Sequence, residues 1–377
     1  MRIAIDCSSV RVGAGVVYAR NILAALARLD RTTEYVVLLA SRDENVVPSQ
    51  GNFRRVCWAP RSAAVRVPFF QAVLPWWLKQ QRVNVLISPF EYTILAAPCP
   101  VILGMQNLSP YSGPSHSSRA GQARNRMIRN LAWLSVRRAA KIFFLSDASR
   151  RIICDRLRIN TANTVVIPYG VDIGGLFPER NGGRNLSVLS DQAVTKPYIL
   201  SVSSVMAHKD FESLLCAFAG LLQRQQLSHR VVIAGPLLDK SYLATLRSLI
   251  STLHLDGRVI VLGEVPHNSV GQLYSDADVM VLPSHTETFG MPIIEAMACG
   301  TPVIASDLPA LREVGAPAGL FYSPGDSVGL SEQLERVLVD DQLRISMVEA
   351  GVKRASEFSW DAAARDVLGL IGEVTSG

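Results

Sequence analysis

Short unbroken runs of Val, Ile and Leu recur along this chain, separated by longer stretches whose apolar residues have helical spacing. A strand built from such a run has no polar face, so helices must cover it on both sides, as in a parallel sheet. The runs fall at 2–6, 35–40, 84–88, 101–105, 141–145 and 164–167, then at 198–202, 230–234, 258–262, 279–282, 302–305 and 319–321. Helical patterns lie between them, for example at 16–29, 119–139, 211–225 and 241–253. Repeated β-α units of this kind predict doubly wound α/β sheets. A chain of 377 residues exceeds one ordinary core, and fits two domains of roughly 180 residues each. With 49% hydrophobic and 19% charged residues, both can bury a large interior.

The pattern breaks at Gly174-Gly175, Gly182-Gly183 and the polar stretch 181–196, before a new strand begins at Tyr198. This places the domains at 1–180 and 181–358. Two such domains facing each other leave a central cleft at the carboxyl ends of both sheets, where doubly wound folds take ligands.

Charge is divided unevenly. Residues 1–180 carry 24 Lys and Arg against 10 Asp and Glu, and residues 181–377 carry 14 against 22. The first domain should attract something anionic: nucleic acid, an acidic lipid surface or a phosphorylated substrate. No recognisable nucleic-acid motif accompanies the charge, so a nucleic-acid partner is not expected. The six cysteines have no metal-ligand spacing and read as reduced thiols in the cytosol. The chain runs directly into its first strand, so no signal peptide is expected. Its most apolar stretch, 65–78, is interrupted by Pro68, Gln71 and Pro75 and is too short to span a bilayer, though it could lie on one.

The densest local signal is Glu287-Thr-Phe-Gly-Met-Pro-Ile-Ile-Glu295, between the strand 279–282 and Gly300. Pro292 suits the first position of a helix and Gly300 suits the residue that ends one. The helix is then about two turns long, with free amides near Phe289, Gly290, Met291, Pro292 and Ile293. Gly290 lets backbone approach a ligand, and the amides with the helix dipole suit a pyrophosphate. Glu295, one turn inside, could accept from a ribose diol, and Glu287 could bind sugar hydroxyls. Lys209, after the strand 198–202, could neutralise a departing diphosphate. Asp276-Ala-Asp278 resembles a metal-binding pattern, but it falls before a buried strand, and no histidine pair supports a metal.

This segment resembles the E-x7-E signature of the retaining glycosyltransferases of family 4, of the glycosyltransferase B fold. Val165-Val-Ile-Pro-Tyr-Gly-Val-Asp172, Ser146-Asp-Ala-Ser-Arg150, residues 201–209 and Gly263-Glu-Val-Pro266 resemble other parts of the family in the right order. The resemblance implies two Rossmann-like domains, the first (1–180) on the acceptor side and the second (181–358) binding the nucleotide-sugar donor, with a final helix, 359–377, crossing back to the first. It implies Glu287 and Lys209 as the catalytic pair, with donor contacts from Gly13, Gly15, Ser203, Ser204, Gly235, Leu262 and Gly263 as well as Phe289 to Ile293 and Glu295. The family's arginine shortly before Lys209 is absent, with Ser203, Ser204 and Val205 in that region. Where the family places a His-Asp pair, this chain has Gln106-Asn107. Neither can act as a base, but both can hydrogen-bond a sugar or acceptor hydroxyl.

The expected reaction is transfer of a sugar from a UDP- or GDP-sugar to a saccharide, lipid-linked, in lipopolysaccharide or exopolysaccharide synthesis, with retention and with no metal or other cofactor. Arg119, Arg124, Arg126, Arg129, Arg137 and Arg138 stud a helix that also carries Met127, Ile128, Leu131, Trp133 and Leu134. With Phe69, Phe70, Trp76 and Trp77, it suggests contact with an anionic membrane, peripheral on the cytoplasmic face. The alternatives are a nucleotide-sugar epimerase or sugar phosphorylase on the same architecture, or a non-catalytic nucleic-acid-binding protein.

Overall fold

The computed structural model describes residues 1–9, 14–40, 46–57, 63–111, 119–172 and 194–376. They form two compact units, residues 1–170 with 359–377 and residues 171–358. The division falls at Gly170/Val171 instead of at 180/181. Gly174-Gly175 and Gly182-Gly183 lie outside the described residues.

The first unit holds seven parallel strands: β1 (Arg2–Asp6), β2 (Glu34–Leu39), β3 (Phe53–Cys57), β4 (Val85–Ser88), β5 (Val101–Met105), β6 (Lys141–Phe144) and β7 (Thr164–Val166). Their order in the sheet is β3-β2-β1-β4-β5-β6-β7. All pairings are parallel, with Ile3 opposite both Tyr35 and Val85. The periodicity misses β3, Phe-Arg-Arg-Val-Cys, because it is an edge strand whose Arg54 and Arg55 are exposed, so it never reads as an apolar run.

Helices α1 (Ala14–Leu29), α2 (Ala63–Gln80), α3 (Arg119–Arg138) and α4 (Asp147–Leu157) belong to this unit. Despite Pro68 and Pro75, α2 runs unbroken for 18 residues. Each proline removes one helical hydrogen bond. Burial of Phe70, Leu74 and Leu78, successive at i+4, in the core under β1, β2 and β4 holds the helix together. The last helix of the chain (Trp360–Ser376) packs on α1, and Arg28 and Asp361 pair across that contact. Gly170 leaves no space for a Cβ, which would lie 2.1 Å from the Trp360 nitrogen.

The second unit holds β8 (Tyr198–Val202), β9 (Arg230–Ala234), β10 (Val259–Gly263), β11 (Val279–Leu282), β12 (Val303–Ser306) and β13 (Leu320–Tyr322). Their order is β10-β9-β8-β11-β12-β13, again all parallel. Between the strands run α5 (Phe211–Arg224), α6 (Lys240–Thr252), α7 (His267–Asp276), α8 (Met291–Ala298) and α9 (Pro309–Gly315), with α10 (Ser327–Val339) and α11 (Asp341–Ala355) after the last strand. One face of the sheet is sealed by Phe211, Leu214, Leu215 and Phe218 of α5 against Ile199, Val231, Val279 and Val281. Among the described residues no helix is long and apolar enough to cross a membrane.

Candidate functional site

In the second sheet the chain starts at β8, winds outward through β9 and β10, and then returns to place β11 on the other side of β8. The connections leaving β8 and β11 therefore diverge, and a crevice opens between their carboxyl ends. The two loops that border it carry Lys209 and Glu287. The Lys209 Nζ donates to Glu287 Oε1 at 2.6 Å, and the Ser284 hydroxyl donates to the same oxygen at 2.9 Å. Both charged side chains are about five-sixths buried, at 16% and 15% exposure. The loops are tied by a backbone bond from His285 N–H to His208 C=O (2.9 Å) and by the His285 ring, 3.2 Å from the Asp210 carboxylate.

Lys209 lies outside the helix that follows β8. It ends a short 3-10 turn, Ala207–Lys209, after which Asp210 (φ 51°) caps α5 by accepting from Ser213 N–H. The left-handed residue reverses the chain between turn and helix.

After β11, Gly290 (φ 87°) is the residue that caps α8, so Met291 is its first residue and Pro292 its second, one position later than the sequence implies. Gly300 (φ 75°) follows the helix end, as expected. The amide of Ile293 already donates to Gly290 C=O at 2.9 Å. The free amides at this terminus thus narrow to Gly290 and Met291, since proline has none. Gly290 is required by its conformation and by packing: a Cβ there would lie 2.4 Å from Leu311 Cδ2. Phe289, Met291 and Ile293 are buried in the core, which leaves their backbone as the part that can meet a ligand.

Glu295 accepts a hydrogen bond from the Tyr274 hydroxyl at 2.9 Å. Burial pushes its carboxyl up to about 7, while the tyrosine bond pulls the other way. Ser203 and Gly235 extend the sheet beyond β8 and β9, and Gly263 ends β10: Ser203 N–H donates to Ala234 C=O (2.9 Å) and Gly235 N–H to Gly263 C=O (2.7 Å). A Cβ on Gly235 (φ 145°) would sit 2.1 Å from Ser203 O, so these residues first of all join three strand ends. Ser204 and Leu262 flank this junction and are half-buried.

Asp276 and Asp278 stand at the opposite, amino-terminal end of β11. Asp276 pairs with Lys196 (2.7 Å), and Asp278 accepts from Tyr198 N–H and lies beside His229. Both are occupied in joining elements. Among the described residues no group of three His, Cys, Asp or Glu side chains could hold a metal ion.

In the first unit the reversal of strand order lies between β1 and β4. Gly15 lies in α1, where a Cβ would make ordinary contact with the Phe90 ring at 3.6 Å. Gly13 lies outside the described residues. Gln106 is buried and its carbonyl oxygen accepts from Tyr169 OH at 2.7 Å. The Asn107 side-chain oxygen accepts from Ser109 N–H (2.9 Å). Sequence reasoning missed Glu91, buried in the same region and hydrogen-bonded to the Gln106 backbone. One signal was available: it is the only acidic residue between Glu44 and Asp147.

Two parallel six- and seven-stranded α/β units of this order define the glycosyltransferase B fold. Sucrose-phosphate synthase from Thermosynechococcus elongatus superposes with a TM-score of 0.80 at 20% identity, covering 100% of this chain and 99% of that one. Anabaena HepE, in its complex with UDP-glucose, does so at 0.79 and 19%, covering 99% and 100%. Residues 190–354 match the model of the family described as glycosyl transferases group 1, and residues 15–174 match that described as Glycosyltransferase Family 4. The chain belongs to this glycosyltransferase family. Among curated relatives, the O-antigen chain mannosyltransferase B of Escherichia coli is 31% identical over 228 residues, 59% of this chain and 58% of that protein. The chain spans little more than half the length of the first curated relatives it matches.

Proposed function

We propose that this protein moves a sugar, with retention of configuration, from a UDP- or GDP-sugar to a saccharide acceptor carried on a lipid, in the synthesis of a cell-surface polysaccharide or lipopolysaccharide. The observation that carries the reading is the Lys209–Glu287 pair at the strand-order reversal of the second sheet, beside the amino terminus of α8. The donor diphosphate would lie against the Gly290 and Met291 amides and draw the Lys209 ammonium toward itself. Glu287, released from that contact, would accept from the hydroxyls of the transferred sugar, and Glu295 from the ribose.

In the reaction the bond between the anomeric carbon and the diphosphate oxygen breaks, and its electron pair leaves with the diphosphate. The acceptor oxygen bonds to the anomeric carbon on the same face, and its proton passes to the departing diphosphate. No side-chain base is needed, which fits Gln106-Asn107 in the first unit. Lys209 supplies the positive charge that such a leaving group requires, so the reading needs neither metal nor cofactor.

Support for a nucleotide-sugar donor comes from Anabaena HepE, whose structure contains UDP-glucose, and for a surface polysaccharide from the Escherichia coli relative. A membrane-borne acceptor is suggested by α3, where Arg124, Arg126, Arg129, Arg137 and Arg138 are exposed together with Met127, Trp133 and Leu134. The Arg137 guanidinium stacks 3.4 Å above the Trp133 ring, and Trp76 of α2 is 63% exposed. Phe70 is buried and Phe69 and Trp77 pack, partly buried, on the core, which leaves Trp76 as the exposed ring of that group. The protein would then work peripherally on the cytoplasmic face of the membrane.

The test is a thermal-shift screen with UDP, GDP, ADP and their sugars. A ligand present at 100 times its Kd stabilises the native state by about 2.7 kcal/mol. One base should stand out. No shift with any member of the panel would overturn the donor assignment.

A further inference from the structure

Glu91 occupies an unusual place. The segment from Asn45 to Ser146 carries 13 Lys and Arg and this single acid. Yet Glu91 makes no ion pair within 4.0 Å among the described residues, and it is only 9% exposed. Its backbone is left-handed (φ 50°), a conformation that a non-glycine residue adopts at a cost. What holds it there is a double clip onto the end of β5. Its N–H donates to Gly104 C=O at 2.9 Å, and its Oε1 accepts from Gln106 N–H at 3.1 Å. Gly104 makes this approach possible, since a Cβ there would lie 2.3 Å from Pro89 O.

Two buried polar atoms close by have no partner among the described residues, the Gln106 Nε2 and the Tyr111 hydroxyl. Both residues are more than nine-tenths buried; Tyr169 already occupies the other end of the Gln106 amide, and the buried Tyr18 hydroxyl lies beside it without completing a hydrogen bond to Nε2. Orphaned donors of this kind are rare in protein interiors and fit a place where a polar guest or a water is taken. They follow β5, next to the strand-order reversal of the first sheet, where doubly wound folds bind ligands.

We propose that Glu91 is a positioning residue for the acceptor: by clamping the backbone after β5 it aims the Gln106 amide, and with it Tyr111, at hydroxyl groups of a neutral saccharide. The inference rests on the reading of the first unit as the acceptor side.

Burial pushes the Glu91 carboxyl up to about 8, opposed by the backbone N–H groups of Gln106 and Asn107 and, from α3, by Arg124. The Tyr111 phenol faces it as well, with Arg129 beyond. Glu91 therefore keeps its proton at neutral pH, and glutamine is its close mimic there. Above pH 8 the wild-type carboxyl ionises, and the Gln106 and Asn107 N–H groups, which favour the carboxylate, hold it more strongly, so protection of that backbone changes.

The test uses the full chain, as wild type, Glu91→Ala and Glu91→Gln. Hydrogen exchange followed by mass spectrometry reads the peptide containing residues 106 and 107, and transfer to a panel of octyl glycosides reads the acceptor KM. Alanine should speed exchange of that peptide at least about tenfold and raise the acceptor KM about tenfold, without altering the donor-induced thermal shift. Glutamine should behave as wild type at pH 7 and, unlike wild type, show no change in protection between pH 7 and 9. If alanine does not fold, the glutamine comparison across pH decides. The proposal is overturned if alanine leaves exchange or acceptor KM within twofold of wild type, or if glutamine and wild type share one pH profile. Lack of any thermal shift with nucleotide sugars would instead overturn the donor reading, and leave the exchange result to stand separately.

Discussion

Lys209 and Glu287 lie 78 residues apart in sequence, and their side chains meet at 2.6 Å where the loops after β8 and β11 diverge. The pair leaves the ammonium partly neutralised in the ligand-free protein. A diphosphate with two or more negative charges competes well for such a cation, so the contact is a store of charge that the donor can claim.

Substitution of either member should remove transfer while the fold persists. Lys209→Met and Glu287→Gln are each expected to lower kcat/KM by about 100- to 1,000-fold. Circular dichroism should show both folded, with a stability loss of about 1–3 kcal/mol as the remaining partner loses its bond. Near-wild-type turnover in both variants would contradict the assignment.

Donor binding should depend on pH through Glu295. Its carboxyl holds a proton up to about pH 7, and only the ionised form accepts from both ribose hydroxyls. Donor affinity is then about tenfold weaker at pH 6 than at pH 8. Tyr274→Phe removes a bond that lowers this pKa and should move the midpoint upward. In stability the sign is opposite: a carboxyl raised on folding stabilises below its unfolded value near 4.5, and that contribution fades as pH rises through 7. Calorimetry of donor binding from pH 5.5 to 8.5 checks the first statement, and a flat profile would contradict it.

Gly290→Ala combines a left-handed φ of 87° with a Cβ 2.4 Å from Leu311. Urea denaturation should show a loss of about 1–3 kcal/mol. Leu311→Ala in the same chain should recover part of the clash but not the backbone strain, so the double variant loses less than the sum of the singles. Strict additivity would show that the packing argument is wrong.

The exposed cations and aromatic rings of α3 predict binding to anionic vesicles that weakens with salt. Vesicles of phosphatidylglycerol and phosphatidylcholine should co-sediment the protein at low ionic strength and release most of it by about 0.5 M salt. Arg126→Glu with Arg129→Glu should abolish co-sedimentation without changing the donor-induced thermal shift. Equal binding to neutral vesicles would remove the electrostatic part of this account.

Most strands were legible because parallel strands buried on both faces leave continuous apolar runs, and β1, β5, β8, β9 and β11 match those runs residue for residue. The edge strand β3 was not, because its exposed arginines erase the pattern. Helix α2 was not, because its prolines outweigh local propensity until the Phe70, Leu74 and Leu78 contacts are counted. At the site, residue types and spacing marked Glu287, Glu295, Pro292 and Gly300. Spacing could not show that Glu287 is paired with Lys209, that Glu295 already accepts from Tyr274, or that Gly290 answers to Leu311. Those are contacts between distant segments. Glu91 was passed over for the same reason, since a lone acid has no motif and its burial is set by β5 and Gly104.

The central claim, that Lys209 and Glu287 divide the donor between phosphate and sugar, is tested most directly by the Kd of the nucleoside diphosphate alone for wild type and both variants. Without a sugar, only the phosphate half is read. Lys209→Met should weaken binding by about 10- to 100-fold, while Glu287→Gln, with its ammonium set free, should bind at least as tightly as wild type. Wild-type affinity in Lys209→Met, or an equal loss in both variants, would contradict the account.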